Sequence, residues 1–136
     1  MLHLSTEERW TLVCTADPDI KVKKRTPHRL VPINDVVVNG GVPLQFVVRT
    51  LNSREQMRVA SVIASNPGAV DSMLAAVDLA VMEVKGVDES TGKKFHETEE
   101  DKVLAVLDRV PSSILSLLGL WVTEKSWGAD PLVGKK

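Results

Sequence analysis

This sequence of 136 residues has few aromatic residues, a single cysteine and almost no net charge. Only 4% of the residues are aromatic and none is tyrosine, so aliphatic side chains must form most of the core. The single cysteine, Cys14, cannot form an internal disulfide bond, which is typical of proteins in a reducing compartment. The formal net charge of −1 argues against general binding of nucleic acid by the whole domain.

Long apolar runs are missing as well. The first ten residues contain no basic segment followed by an apolar run, so we expect no signal peptide. The most apolar segment, Ile114 to Val122, is much shorter than the roughly 20 residues that cross a bilayer. The composition predicts a soluble intracellular protein with one globular domain over residues 1–126 and a flexible tail over 127–136.

Prolines and basic residues mark the first 35 residues, which we expect to be extended or irregular. Ser5 and Glu8 have capping-box spacing for a short helix, whereas Trp10 to Val13 can equally form a strand. A basic segment follows, which is either an arm that contacts an acidic partner or a solvated loop or edge strand. Its basic side chains are Lys21, Lys23, Lys24, Arg25 and Arg29.

The segment VVVNGGVPLQFVV gives the clearest β-strand pattern. Asn39-Gly40 predicts a tight hairpin turn, because both residue types tolerate positive φ angles. Beyond the turn, Leu44, Phe46 and Val48 alternate with their neighbours and should face the core. Pro43 cannot donate a backbone hydrogen bond, so it should lie at an edge or in a bulge.

Two helices are predicted next. Asn52 or Ser53 is the expected N-cap of the first, with Glu55 or Gln56 three residues later, and the helix should end near residues 66–68. The second helix should begin there and end at Gly86. Its apolar face, at spacings of three and four, comprises Val70, Met73, Leu74, Val77, Val81 and Val84.

The acidic stretch VKGVDESTGKKFHETEED separates these helices from two more. Gly92 should occupy a turn, and Thr98 should cap a third helix whose first residues are acidic. Val103, Leu104 and Leu107 should point inward from it. Pro111 should end the third helix and begin a fourth. The predicted fold class is therefore α+β, with a small N-terminal β-hairpin or sheet packed against about four α-helices.

The acidic stretch does not match a known metal loop. Asp88, Ser90, Gly92 and Glu99 have the spacing of calcium ligands, but the position that requires glycine holds Lys93. His96 has no histidine or cysteine nearby to complete a zinc site. Cys14 is expected to be a small buried residue, and no serine, histidine and aspartate motif is present. We therefore expect neither an enzyme nor a bound cofactor or metal.

The fourth helix carries more apolar residues than a single buried face requires. Its residues Ile114, Leu115, Leu117, Leu118, Leu120, Trp121 and Val122 surround more than the roughly 100° stripe of an ordinary surface helix. The excess is either buried within the monomer or contacts another chain. Tryptophan is enriched at binding hot spots. The candidate partner-binding residues are Leu117, Leu118, Trp121, Val122 and Trp127.

Three segments follow one another within residues 44–120: FVVRTLNSREQMRVASV, VMEVKGVDESTGKKF and LAVLDRVPSSILSLL. Their order over this range resembles the tail assembly chaperones of long-tailed bacteriophages. The matching residues are Leu51, Ser53, Arg54, Glu55, Lys85, Gly86, Val87, Asp88, Gly92, Leu107, Asp108, Arg109, Val110, Pro111, Ile114 and Leu117.

This resemblance implies a non-enzymatic protein in the cytoplasm of an infected host cell. Such chaperones bind the tape measure protein, help to recruit tail tube protein and are absent from the finished virion. The family often makes a longer product by ribosomal frameshifting, and the ending Gly134-Lys135-Lys136 is compatible with a slippery codon run. A homo-oligomer is also possible, whereas no nucleic-acid or membrane partner is expected.

One alternative is a minor structural protein of the virion, such as a head, connector or baseplate subunit. The basic segment from Lys21 to Arg29 and the predicted hairpin would then form oligomer contacts. A third hypothesis, an enzyme or metal protein, requires calcium or zinc to bind the acidic turn. The two phage hypotheses differ in whether the protein is present in purified particles.

Overall fold

Seven β-strands and four α-helices occur in the residues that the computed structural model describes, which are 7–21, 28–65 and 69–128. This composition confirms the predicted α+β class. None of the described helices is long and apolar enough to span a membrane. The elements are β1 (Arg9–Cys14), β2 (Ile20–Lys21), β3 (Leu30–Pro32), a 3-10 turn (Ile33–Asp35), β4 (Val37–Val38), β5 (Gln45–Arg49), α1 (Ser53–Ser65), α2 (Ala69–Ala80), β6 (Val81–Asp88), β7 (Lys93–Glu97), α3 (Glu100–Leu107) and α4 (Ser112–Gly128).

These elements form two compact units. Unit 1 holds residues 1–9, 49–80 and 111–136, and therefore contains α1, α2 and α4. Unit 2 holds residues 10–48 and 81–110, with α3 and the strands apart from their end residues Arg9 and Arg49, which belong to unit 1. The chain passes between the units several times, so they are not successive domains. The single domain over residues 1–126 stays a prediction.

A five-stranded antiparallel sheet forms most of unit 2, in the order β3-β1-β5-β6-β7. The strand alternative for Trp10 to Val13 is therefore correct, because these residues lie in β1. In β5, Phe46 and Val48 are fully buried, as their alternation predicted. Leu44 precedes this strand and is half-buried. Phe46 lies opposite Val84 of β6, which places two apolar side chains on the same face of the sheet.

The predicted hairpin at Asn39-Gly40 is wrong. The two residues of β4 pair with β2 in a separate two-stranded sheet and not with β5. Gly40 has a φ of 76°, but Asn39 does not have the positive φ that the predicted turn requires. The Asn39 amide instead donates to the carbonyl of Asp19, 2.8 Å away. β4, the strand that precedes Gly40, therefore pairs with the earlier strand β2 and not with the strand that follows it.

The predicted second helix ends six residues earlier than expected. Val81, Val84 and Gly86 lie in β6, so their assignment to a helix is wrong. β-branched valines favour strands, and Val84 packs in the sheet. Gly86 does not end a helix but lies opposite Phe95 of β7. A Cβ atom at Gly86 would lie 3.4 Å from the Phe95 ring, which shows that the ring lies over the glycine.

The turn between β6 and β7 agrees with the prediction. Gly92 has a φ of 69°, a conformation that side chains with a Cβ atom rarely adopt. At the start of the turn, the Asp88 carboxylate accepts hydrogen bonds from the amide and hydroxyl of Ser90. It also accepts two from the Arg109 guanidinium, at 2.9 and 3.0 Å. The turn is therefore tied to the segment that follows α3.

Glu99, and not Thr98, is the N-cap of α3, so the predicted cap is wrong by one residue. The Glu99 carbonyl accepts the amide of Val103, which fixes where the helix begins. Its side chain makes no capping hydrogen bond, whereas Glu100 and Asp101 occupy the first turn as expected. Val103 and Leu107 are buried, while Leu104 is half-buried.

The ion pair between Asp88 and Arg109 should make stability depend on acidity. Arg109 and the Ser90 bonds hold the pKa of Asp88 well below its ordinary value of 3.8. The pair therefore contributes its full stability above about pH 4 and loses it as the pH falls toward the folded-state pKa. We expect the melting temperature of Arg109→Gln to lie below that of the wild type near pH 6, with a gap that narrows below pH 4. Lys85→Gln is the control, since it removes one charge but no ion pair found in the described residues. If the difference in melting temperature between the wild type and Arg109→Gln stays constant from pH 6 to pH 2, the ion pair is not the source of the pH dependence.

Candidate partner-binding surface

The fourth helix begins where the sequence predicts. The carbonyl of Pro111 accepts the amides of Ile114 and Leu115, and α4 runs from Ser112 to Gly128. The helix therefore includes Trp127, and the prediction of a flexible tail beginning at that residue is wrong for 127 and 128. The remaining tail residues, 129–136, lie outside the described residues.

One side of α4 belongs to the core of unit 1. Leu118 and Val122 are fully buried, and Ser126 is 2% exposed. These residues are four apart, so they form one stripe along the helix. The core cluster also contains residues of α1, α2 and the segment before α1, and its buried members are Leu51, Val59, Ala76, Ala80 and Val122.

Hydrogen bonds fix the C-terminal end of α4. The hydroxyl of Ser126 accepts the amide of Leu51 at 2.9 Å, in a fully buried contact. The side-chain amide of Gln56 donates to the carbonyls of Leu51 and Ser126. Since buried amides without partners are costly, these bonds hold the end of α4 beside the start of α1.

The middle of α4 makes a close contact with α2. A Cβ atom at Gly119 would lie 2.9 Å from the Cβ atom of Met73 and 3.3 Å from its Cα atom. The neighbouring atoms belong to the base of the side chain and to the backbone, so they cannot move away without shifting a helix. Gly119 is therefore required by the distance between the two helices.

Enlarging Gly119 should destabilise unit 1. We expect Gly119→Val to lower the free energy of unfolding by about 1–3 kcal/mol, since overpacking a close helix contact forces backbone shifts. Ser116→Val is the matched control, because Ser116 is an exposed position of the same helix. Chemical denaturation of both variants measures the effect. If both variants lose the same free energy of unfolding, the close contact between Gly119 and Met73 is not the cause.

The other side of α4 carries apolar side chains toward solvent. At 3.6 residues per turn, Leu120 lies about 160° around the helix from Leu118. Leu120 is 50% exposed, and Leu117 and Trp121 are half-buried. These three residues, at spacings of three and four, are here named the outer stripe of α4. The Lys125 ammonium lies 5.6 Å from the centre of the Trp121 ring, so a cation borders the stripe.

The five predicted binding residues therefore fall into different environments. Leu118 and Val122 have no accessible surface, so a partner that binds the folded chain does not touch them. Leu117 and Trp121 lie in the outer stripe. Both Trp121 and Trp127 are half-buried and pack against the core of unit 1, so Trp121 offers only part of its ring to a partner. Leu120, the most exposed residue of the outer stripe, was not among the five residues that the sequence predicted. Its spacing of three from Leu117 is visible in the sequence, but the burial of Leu118 that makes this side the exposed one is seen only in the structure.

The other candidate sites are engaged in structural contacts or lie outside the described residues. Cys14 is buried, and Asp88 is bound by Arg109 and Ser90. His96 lies 2.7 Å from the Glu83 carboxylate. Residues 7–21, 28–65 and 69–128 contain no group of three or more His, Cys, Asp or Glu residues that could hold a metal ion. Most of the basic segment, residues 22–27, lies outside the described residues, whereas Lys21 and Arg29 are exposed.

Comparisons with known proteins gave no family to which the chain can be assigned: no protein-family model, curated protein or solved structure matches it.

Proposed function

We propose that this chain is a tail assembly chaperone of a long-tailed bacteriophage, which binds the tape measure protein and promotes assembly of the tail tube without catalysing a reaction. The outer stripe of α4 is the observation that carries the proposal. The helix keeps Leu120 half exposed even though Leu118 and Val122 already supply its contribution to the core. The resemblance over residues 44–120 supports the same role.

The spacing of the outer stripe suits an apolar helical partner. Residues three and four apart lie on one side of a helix, and such a stripe packs against the apolar face of a second helix. A long helical protein that awaits assembly exposes faces of this kind. Covering them keeps the partner soluble until tube subunits replace the chaperone.

The polar border of the stripe favours reversible binding. Glu124 and Lys125 are exposed on the same helix, next to Trp121. Interfaces that form and separate during assembly commonly have an apolar centre and a polar rim. The small stripe contributes few side chains, which is appropriate for a partner that must later be released.

Mass spectrometry of infected cells and purified particles tests the proposal. We expect the chain in the host cell cytoplasm, recovered with the tape measure protein, and less than one copy in each finished virion. A fixed number of copies in each purified particle would contradict the chaperone role and support a minor structural protein of the virion. A gene neighbourhood without a tape measure gene would also count against the proposal.

A further inference from the structure

The outer edge of β7 is open in the described residues. β7 is the last strand of the five-stranded sheet and pairs only with β6 among residues 7–21, 28–65 and 69–128. An edge strand presents backbone donors and acceptors that can pair with another strand. The side chains of Lys93, Lys94 and His96 are exposed, and those of Phe95 and Glu97 are half-buried. The whole strand therefore reaches the surface of unit 2.

We propose that β7 pairs with β7 of a second copy of this chain, antiparallel and across a twofold axis at Phe95. The two five-stranded sheets then form one continuous sheet. This pairing places Lys93 opposite Glu97 of the partner subunit, and Glu97 opposite Lys93 of the partner subunit. Phe95 lies opposite its own counterpart.

The charge pattern of β7 selects this partner. The sequence Lys-Lys-Phe-His-Glu has a cation at one end and an anion at the other, so it is complementary to itself when reversed. Lys93 and Glu97 form no ion pair within the described part of the chain. In the dimer each gains an oppositely charged neighbour across the strands, a contact that stabilises antiparallel pairs.

The register follows from the two faces of the strand. In a continuous sheet with a perpendicular twofold axis, residues that lie opposite each other must occupy the same face. Lys93, Phe95 and Glu97 share one face of β7, because they lie opposite alternate residues of β6. Only the register centred on Phe95 pairs all five residues of the strand. In this register each Lys93 lies opposite a Glu97, once on either side of the twofold axis.

The same lysines disfavour other partners. Lysine on an edge strand opposes indiscriminate strand pairing, because a random partner leaves its charge without compensation. A second copy compensates Lys93 but leaves Lys94 opposite His96 of the partner subunit. The resulting association is expected to be specific and weak, since five residues from each strand bury less surface than a stable interface usually does.

Charge-reversal variants test the pairing. Analytical ultracentrifugation of the full chain should show a concentration-dependent dimer for the wild type. Lys93→Glu alone and Glu97→Lys alone place like charges opposite each other twice, so each should weaken the dimer by about tenfold or more. An equimolar mixture of the two variants should form a heterodimer at least as tight as the wild-type dimer. The double variant, Lys93→Glu with Glu97→Lys, should also dimerise.

Two controls separate this result from a change in folding or in net charge. Thermal unfolding should show that every variant stays folded at the temperature of the experiment. Lys102→Glu on α3 makes the same charge change at an exposed position outside β7 and should leave the dimer unchanged. A wild type that is monomeric up to about 1 mM, or charge variants that remain weak when mixed, overturns the proposal. Failure of this test leaves the proposed chaperone function unaffected, because that function depends on α4.

Discussion

Replacing Arg49 by methionine is expected to lower the free energy of unfolding by about 3–5 kcal/mol, because it leaves a buried carboxylate without its cation. Glu55 is only 8% exposed. Its two carboxylate oxygens accept hydrogen bonds from the Arg49 guanidinium at 2.6 and 2.5 Å. Arg49 also donates to the carbonyl of Leu79 at 2.9 Å, so within unit 1 one side chain contacts both α1 and α2.

Glu55 has a second role that makes this cluster sensitive. Its carboxylate accepts the amide of Asn52 at 3.1 Å, and its own amide donates to the Asn52 side chain at 2.9 Å. This reciprocal pair is the predicted capping box at the start of α1. The Arg49 hydrogen bonds and the Asn52 amide lower the pKa of Glu55, against the opposing effect of burial. The cluster therefore contributes stability above about pH 4.5 and loses it as the pH falls through the lower folded-state pKa.

Urea denaturation at pH 7 measures the effect of Arg49→Met. Arg54→Met is the matched control, because Arg54 is an exposed arginine of α1, and its loss should change stability by no more than about 0.5 kcal/mol. The double variant Arg49→Met with Glu55→Met should be less destabilised than Arg49→Met alone, since it leaves no buried charge. If Arg49→Met lowers the free energy of unfolding by less than about 1 kcal/mol, water or a shift of neighbouring groups hydrates or pairs the Glu55 carboxylate, and the prediction is wrong.

Replacing Leu120 by aspartate is expected to abolish binding of the tape measure protein while the chain stays folded. Leu120 is the most exposed residue of the outer stripe, so a carboxylate there keeps its water in the free protein. In a complex it would face an apolar helix and lose that hydration. Removing a hot-spot residue alone weakens binding by about 30-fold. Burial of the unpaired carboxylate adds to this loss, so binding should fall below detection.

Matched variants distinguish binding from folding. Leu74→Asp makes the same change on α2, at a leucine that is 39% exposed, and should leave binding within about threefold of the wild type. Leu118→Asp should instead unfold unit 1, because Leu118 is completely buried. Circular dichroism checks the fold of each variant. If Leu120→Asp loses its helical signal, the outer stripe is part of the core and the binding assignment fails.

Local signals were sufficient for several parts of this fold. The capping box at Asn52 and Glu55, the start of α4 after Pro111 and the turn at Gly92 depend on neighbours within a few residues. The alternation of Phe46 and Val48 likewise identified the buried face of β5. In each case the backbone conformation is set by side chains that are close in sequence.

The errors arose where distant segments decide the structure. Apolar spacing from Val70 to Val84 fits a helix, yet residues from Val81 onward pair with β5 and β7 as a strand. The Asn39-Gly40 dipeptide fits a hairpin, but β4 pairs with β2, whose residues lie 16 to 18 positions earlier. Such pairings depend on tertiary contacts that override local preference.

The candidate site was only partly predictable for the same reason. Its apolar composition identified α4, but composition does not say which side of a helix faces the core. Burial of Leu118 and Val122 assigns that side, and it leaves Leu120 as the exposed residue that the sequence did not single out. The ion pair of Asp88 with Arg109 joins two segments of the resemblance that lie 21 residues apart.

Calorimetric titration of the tape measure protein into the purified chain tests the central claim most directly. The tape measure protein is to be taken from the gene neighbourhood of this chain, as overlapping helical segments. The proposed function predicts saturable binding of at least one segment by the wild type and by Leu74→Asp, and no measurable binding by Leu120→Asp. Equal binding by all three chains, or no binding of any segment by the wild type, would contradict it.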